Sequence, residues 1–375
     1  MNGFRLARIL GFEIRIDFSW FIIFFLVLWS LGTAVFPARA PGLDRTAYLI
    51  MGLFGSALFF ASLIAHELSH SLVARRKGIE VEGITLFIFG GVARTKAEAK
   101  KPGDEFLIAG VGPLASVLIG VLLWLLANLS QRAGLGPAVV GVLDYIAVLN
   151  VVLAVFNLLP GFPLDGGRLF RSIVWKLTGN LRRATRVATT LGRWLGYALV
   201  ALGLLQAFNG VLVSGLWLVL IGWFLRNAAA SSYQQQVVSE LLSGVQAVQT
   251  MTPAPETVGP ELTLDRLIDE HFLRSRFVAF PVVLGDDAMG MITLHQVRNI
   301  PRERWGALAV RDVMVPLSDA ITVSPDDSMT TVMDRLRGSP VHRLLVLRAG
   351  RLAGIISAHD VTHWLARARE MEELG

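Results

Sequence analysis

The stretch IAHELSHSL at residues 64–72 places two imidazoles and a carboxylate inside an apolar run that extends from Leu49 to Leu72. A run of this length is long enough to cross the hydrocarbon core of a bilayer as a helix. Ionisable side chains at membrane depth are costly and usually serve a function. The stretch therefore predicts a membrane-spanning helix that carries a chemical site.

The spacing HExxH within this stretch is typical of a zinc site. His66 and His70 are four residues apart and share one face of a helix, so both imidazoles can bind a single Zn²⁺. Glu67 stands beside the first ligand, where it could accept a proton from a water activated by the metal. The simpler alternative is that these three side chains are only the polar end of a membrane helix.

A third ligand must be sought elsewhere, because a catalytic zinc ion takes three protein ligands and one water. The chain contains no cysteine, and no other histidine precedes residue 271. Asp165 is the candidate, within NLLPGFPLDGGR at residues 157–168. Prolines and glycines there interrupt an apolar span, and irregular backbone at membrane depth requires surrounding protein or a cavity. Alternatively, the segment is only a helix stop followed by a turn.

The composition indicates a polytopic α-helical membrane protein, with 53% hydrophobic and 17% charged residues in 375. The net charge of +6 does not indicate nucleic acid as a partner, because the basic residues are scattered through loops. The first apolar run lacks a cleavage site and is interpreted as a retained span in the lipid bilayer. About six spans are predicted: Phe18 to Phe36, Leu49 to Leu72, Phe106 to Leu129, Val139 to Leu159, Trp194 to Phe208 and Val211 to Leu225. The last two are short.

The distribution of positive charge predicts the orientation, because Lys and Arg are retained on the cytoplasmic side of short loops. These residues precede the first span and fill the loops after the second and fourth spans. The opposite loops hold only Arg39, Arg45 and Arg132. The N-terminus and the C-terminal region are therefore expected on the cytoplasmic side of the inner (cytoplasmic) membrane.

The hydrophobicity falls after about Arg226, where an internal repeat follows. VQAVQTMTP at residues 245–253 resembles VRDVMVP at 310–316, and GMITLHQ at 290–296 aligns with GIISAHD at 354–360. The predicted organisation is a membrane domain at 1–225, a helical linker at 226–244, and two soluble α/β units at 245–309 and 310–375.

HELSH and NLLPGFPLDGGR, in this order and separation, resemble the two signature motifs of the site-2 protease family of intramembrane zinc metalloproteases. The resemblance is to the prokaryotic group that carries a C-terminal pair of CBS domains. It implies that His66, His70 and Asp165 bind one zinc ion and that Glu67 is the catalytic base. It also implies that the substrate is a transmembrane helix of another protein, locally unwound for hydrolysis.

Two weaker similarities concern the same region. GITLFIFGGVA at residues 83–93 resembles the family's membrane-associated β segment, which implies that Phe89, Gly90 and Gly91 contact the substrate. GVGPLAS at 110–116 resembles a small-residue motif and is interpreted as helix packing, with Ser116 where many members have Asn. Asn157 is expected to belong to the substrate site, where it would orient a ligand or stabilise the charged intermediate; the alternative is a hydrogen bond at a helix end.

The repeat resembles a tandem CBS pair, which implies binding of an adenine nucleotide such as ATP or AMP as a regulator. In the second copy, Ser357 would contact phosphate and Asp360 the ribose. The first copy keeps Thr293 but has Gln296 in place of the acid, so one nucleotide site is expected. The alternative is a CBS pair that only stabilises the protein or forms a homodimer.

The same sequence features also fit a different class of function. In a transporter or channel gated by CBS domains, the intramembrane His, Glu and Asp side chains would line an ion path. That class does not require HExxH together with a Pro- and Gly-rich segment bearing an acid, so the protease is favoured. A catalytically inactive scaffold is not supported, because all four metal-site residues are present.

Overall fold

The computed structural model describes residues 3–88, 90–95 and 99–374. The chain forms two compact units, Met1–Gln234 and Gln235–Gly375. The first consists mainly of long apolar helices and the second is a smaller α/β unit. The prediction of a polytopic helical protein with a β segment and a second, α/β unit is confirmed.

The helices of the first unit are long enough to explain the apolar runs. Within the described residues, five are long and apolar enough to cross a membrane. The helices are α1 (Ser19–Ser30, continued by a π-helical turn Leu31–Val35), α2 (Phe36–Arg39), α3 (Arg45–Arg76), α4 (Pro102–Arg132), α5 (Pro137–Asn157), α6 (Asp165–Thr178), α7 (Leu181–Phe208) and α8 (Leu212–Leu242), of which the residues after Gln234 belong to the second unit. The two spans that are short in sequence lie in α7 and α8, which flanking polar residues extend at one end.

A four-stranded sheet accompanies the helices in the first unit. Its strands are β1 (Gly3–Ile9), β2 (Phe12–Asp17), β3 (Val81–Phe87) and β4 (Gly90–Thr95), in the order β1-β2-β3-β4. The parallel pairing of β2 with β3 joins an N-terminal hairpin to the β segment expected from the sequence. Phe12, Ile14 and Ile84 from these two strands pack with Leu68 of α3. The sheet is therefore attached to the helix that carries HExxH.

The second unit contains the internal repeat. Its helices are α9 (Ala247–Thr250), α10 (Leu264–Arg266, continued by a π-helical turn Leu267–Phe272), α11 (Leu294–Arg298), α12 (Met329–Gly338) and α13 (Ala358–Leu374). Its strands are β5 (Thr252–Pro253), β6 (Ala279–Leu284), β7 (Asp287–Thr293), β8 (Val315–Pro316), β9 (Thr322–Val323), β10 (Arg343–Arg348) and β11 (Arg351–Ser357). The repeats exchange strands, because β5 pairs with β11 and β8 pairs with β7.

Candidate metal centre

Helix α3 brings the two imidazoles of HExxH together on one buried face. Asp44 caps its N-terminus by accepting a hydrogen bond from the Ala47 backbone at 3.1 Å. One turn separates His66 from His70, and their Nε2 atoms are 3.2 Å apart. Both rings are buried. The helical spacing therefore gives a pair of convergent nitrogen atoms in a mostly apolar helix.

Asp165 completes a cluster of three donor atoms. Its Oδ2 lies 3.1 Å from His66 Nε2 and 3.2 Å from His70 Nε2. Around a tetrahedral zinc ion, ligands bound at about 2.0–2.1 Å are separated from each other by roughly 3.3 Å. Two imidazoles and one carboxylate are also a donor set that zinc accepts with one position left open. In both chemistry and spacing, the three residues fit a zinc ion.

The segment between α5 and α6 places Asp165 by close backbone packing. Asp165 is the first residue of α6, directly after the turn that follows α5. A Cβ on Gly166 would lie 2.2 Å from the Leu158 carbonyl oxygen, and a Cβ on Gly192 of α7 would lie 2.0 Å from that of Phe162. Only glycine permits these approaches. These glycines of α6 and α7 let the turn pack closely against both helices, which positions the carboxylate.

Helix α4 orients both imidazoles through their second nitrogen atoms. His70 Nδ1 donates to the Ile108 carbonyl oxygen at 2.5 Å, and His66 Nδ1 lies 2.9 Å from Ser116 Oγ. A hydrogen on Nδ1 leaves the lone pair of Nε2 available for a metal ion. The motif containing Ser116 was interpreted as packing from the sequence. The structure gives Ser116 a direct contact with His66.

Gly112, on the same face of α4, lies against the two Nε2 atoms. A Cβ at this position would be 2.1 Å from His70 Nε2 and 2.8 Å from His66 Nε2. Neither contact is sterically allowed, so the space beside the donor atoms exists only because residue 112 lacks a side chain. From the sequence, the motif GVGPLAS indicated only close helix packing, so this role of Gly112 was not predicted.

The hairpin of β3 and β4 lies against Glu67. A Cβ on Gly91 would be 2.6 Å from Glu67 Cγ, so the backbone of β4 passes directly over the carboxylate side chain. Gly90 is the first residue of β4. In the described part of the chain, β4 is hydrogen-bonded on its β3 side and forms the other edge of the sheet. Phe89, the third residue expected to contact substrate, lies outside the described residues.

Asn157 is the last residue of α5 and is partly buried. It is not part of the cluster of metal donor atoms, which contains His66, His70 and Asp165. Its position at the helix end is compatible with both alternatives considered from the sequence.

The predicted nucleotide residues occupy equivalent helix starts in the two repeats. Asp360, in the first turn of α13, accepts hydrogen bonds from the Ser357 backbone at 2.7 Å and from the Ser357 hydroxyl at 2.5 Å. It also accepts one from Thr252 Oγ1 at 2.7 Å. Thr293 and Gln296 form the corresponding capping pair at α11. These residues therefore have a capping role besides the nucleotide contacts that the resemblance implies.

The chain matches two families of known proteins. Peptidase family M50 matches residues 54–141 and 127–201, which include HExxH and Asp165. The CBS domain matches residues 245–303 and 310–367. Each family thus covers one of the two parts that differ in hydrophobicity.

Relatives that align with nearly the whole chain are named as zinc metalloproteases. A Mycobacterium tuberculosis protein named as a zinc metalloprotease, Rip3, is 36% identical over 362 residues, covering 96% of this chain and 92% of the relative. Zinc metalloprotease MJ0392 of Methanocaldococcus jannaschii is 29% identical over 373 residues, covering 99% and 98%. The solved structure of a site-2 protease from M. jannaschii is 28% identical, covers 61% of this chain and 94% of that chain, and superposes with a TM-score of 0.41. The family matches, together with the 36% identity to Rip3 along 96% of the chain, show that the chain belongs to peptidase family M50, the site-2 protease type of zinc metalloprotease, and carries a tandem pair of CBS domains.

Proposed function

We propose that the protein hydrolyses peptide bonds within transmembrane segments of other proteins, using a zinc ion held by His66, His70 and Asp165. The observation that carries the proposal is the cluster of three donor atoms 3.1–3.2 Å apart. The cluster joins two helices of an apolar bundle, and α3, which carries both histidines, is long and apolar enough to span a membrane. Zinc bound there would supply a Lewis acid that polarises a carbonyl and lowers the pKa of water.

Glu67 is assigned as the general base of the reaction. It directly follows a proposed ligand, and the backbone of β4 lies against its side chain. Its carboxylate would accept a proton from the attacking water and return it to the nitrogen of the leaving amine. This requires no covalent intermediate with the protein. The buried, apolar surroundings keep bulk water away and strengthen the electrostatic interactions of the site.

The edge of β4 is assigned to the substrate. A transmembrane helix that unwinds for hydrolysis exposes backbone N–H and C=O groups, which must find partners within the protein. A free strand edge provides those partners by adding the substrate as another strand. Gly91 of this strand lies against Glu67, which supports the assignment of Gly90 and Gly91 to substrate binding together with Phe89. Asn157, at the end of α5, is assigned to orient the substrate or a ligand.

The function is tested by cleavage of a single-span reporter protein in proteoliposomes. We expect cleavage within the span, its loss after treatment with a zinc chelator, and its return when zinc is added back. The same vesicles are loaded with an ion-sensitive dye. Leakage of ions without cleavage would contradict the protease and indicate the CBS-gated transporter or channel instead.

Removal of the Ser116 hydroxyl is expected to weaken zinc binding. Ser116→Ala takes away the only part of this side chain that contacts His66 Nδ1, and loss of such an orienting group typically costs about 10- to 100-fold in metal affinity. Competition with a chromophoric chelator measures the change. Ser62→Ala is the matched control, because this buried hydroxyl in α3 donates to the Phe59 carbonyl and not to a histidine. Equal zinc affinity in both variants would contradict the role of Ser116.

The CBS pair is assigned to regulation by ATP or AMP at the second repeat, through Ser357 and Asp360, with Thr293 contributing from the first. Each hydrogen bond from a ribose hydroxyl to a charged carboxylate contributes about 1.5–3 kcal/mol to binding. Asp360→Ala is therefore expected to weaken nucleotide binding at least about tenfold, as measured by calorimetry. Gln296→Ala, at the equivalent position of the first repeat, is expected to leave binding unchanged. Loss of affinity in both variants, or in neither, would contradict a single site at Asp360.

The remaining assignments concern placement and assembly. The positive charge of the loops after the second and fourth spans supports a cytoplasmic location of the N-terminus and the CBS pair, with the protein in the cytoplasmic membrane. A homodimer through the CBS pair is proposed as well. Accessibility labelling of single-cysteine variants tests the cytoplasmic location, since the chain contains no cysteine. Light scattering in detergent tests the homodimer.

A further inference from the structure

One face of α4 carries a buried acid besides the groups that contact the imidazoles. Glu105, Ile108, Gly112 and Ser116 follow one another at intervals of three or four residues, so they share a face. All four are buried. Ile108 and Ser116 orient the two histidines, and Gly112 provides the space beside them. Glu105 is outside the cluster of metal donor atoms, so its burial needs another explanation.

The partner of Glu105 is the helix that carries Asp165. Its Oε1 accepts a hydrogen bond from Arg171 Nε at 2.6 Å and a second contact from Arg171 Nη2. Arg168 Nε lies farther away, at 3.9 Å. Arg171 is 5% exposed and Glu105 is fully buried. Through this two-point ion pair, the first turn of α4 is joined to α6.

The same arginine also contacts the turn that precedes Asp165. Its guanidinium lies over the ring of Phe162, 5.0 Å from the ring centre. Arg171 therefore connects three parts of the structure: α4, the turn before α6, and α6 itself. A buried ion pair is a weak source of stability, because desolvation offsets most of the attraction between the charges. The contact of two guanidinium nitrogen atoms with one carboxylate oxygen nevertheless restricts how the two helices lie against each other.

We propose that Glu105 and Arg171 are positioning residues for the third zinc ligand. Their ion pair holds α6 against α4, so that Asp165 Oδ2 stays within reach of the two Nε2 atoms that α4 has oriented. In this arrangement α4 aligns all three ligands: His70 through the Ile108 carbonyl, His66 through Ser116, and Asp165 through Glu105 and Arg171. The inference rests on the proposed function, since it requires that the donor cluster binds zinc.

The experiment compares zinc affinity and coordination in purified full-length variants. Glu105→Gln removes the charge with little change of shape, and Arg171→Lys keeps the charge but loses the two-point contact. Asp104→Asn is the matched control. Asp104 lies in the same turn of α4 as Glu105, but its carboxylate pairs with Lys77 at 2.8 Å and not with Arg171. Each variant is titrated with zinc against a chelator and then loaded with Co²⁺, whose visible spectrum reports the ligand geometry.

We expect Glu105→Gln to weaken zinc binding about 10- to 100-fold and to alter the Co²⁺ spectrum, with a smaller loss in Arg171→Lys. Asp104→Asn should behave as the wild type in both measurements. If Glu105→Gln does not fold, the result for Arg171→Lys decides. The inference would be overturned if Glu105→Gln and Arg171→Lys bound zinc with wild-type affinity and gave the wild-type Co²⁺ spectrum, even if their thermal stability fell. That result would leave the proposed function intact. A wild-type protein that binds no zinc would overturn both.

Discussion

Replacement of Glu67 by glutamine is expected to lower the rate of peptide-bond hydrolysis by about 10²- to 10⁴-fold, the usual contribution of a positioned general base. Glutamine has nearly the same shape but cannot accept the proton of the attacking water. Zinc content is expected to remain at the wild-type level, because Glu67 does not belong to the cluster of donor atoms. Single-turnover cleavage of a reporter span, together with metal analysis, measures both quantities.

Glu82→Gln is the control for this substitution. Glu82 lies in β3, in the same sheet that packs over Glu67, and its side chain is exposed. It makes the same chemical change without touching the proposed base, so wild-type activity is expected. A Glu67→Gln variant that also cleaves at the wild-type rate would contradict the assignment of the base, whatever its zinc content.

Gly112→Ala is expected to abolish zinc binding and, with it, activity. The added methyl group would lie 2.1 Å from His70 Nε2 and 2.8 Å from His66 Nε2, so the two rings would have to leave their positions. Alanine favours a helix over glycine by about 0.8–1.0 kcal/mol, so the loss would not come from a weaker α4. Zinc per chain after dialysis and a thermal unfolding curve distinguish these effects.

Gly110→Ala makes the same change on the same helix. There the added Cβ would lie 3.6 Å from Leu169 Cδ2, an ordinary van der Waals contact. This variant is expected to bind zinc and cleave as the wild type does. If Gly112→Ala bound zinc as tightly as Gly110→Ala, the donor atoms could not have the arrangement described.

Local spacing in the sequence was enough to place the two histidines. Residues 66 and 70 lie on one helical face wherever the helix goes, so their convergence requires no knowledge of the fold. Asp165 followed from composition, since cysteine is absent and histidine is scarce in the apolar region. The structure brings its carboxylate to the imidazoles across 95 and 99 residues of chain. The binding of zinc at this cluster stays a proposal.

The groups that orient the ligands could not be predicted in the same way. Ser116 reaches His66 only because α4 packs against α3, 50 residues away in sequence. Its motif of small residues is equally typical of close helix packing, which was the interpretation from the sequence. The ion pair of Glu105 with Arg171 likewise depends on contact between α4 and α6. Contacts that orient the ligands depend on tertiary packing, which leaves no local pattern in the sequence.

The β structure was predicted in part. The segment at residues 83–93 was expected to be extended, and it supplies β3 and β4 where it is described. The N-terminal hairpin was not expected, because its arginines were interpreted as topology signals before the first span. Its second strand alternates buried Phe12, Ile14 and Ile16 with partly exposed residues, a period of two that indicates a strand. The strand exchange between the CBS repeats had no local signal.

The most direct test of the central claim is the zinc content of purified protein after dialysis, measured in the wild type and in four variants. We expect about one zinc ion per chain in the wild type, in Glu67→Gln and in His363→Ala, which removes an exposed histidine of the second unit. His66→Ala and Asp165→Ala should lose most of the metal. Zinc retained in both of these variants, or absent from the wild type, would contradict a metal centre formed by His66, His70 and Asp165.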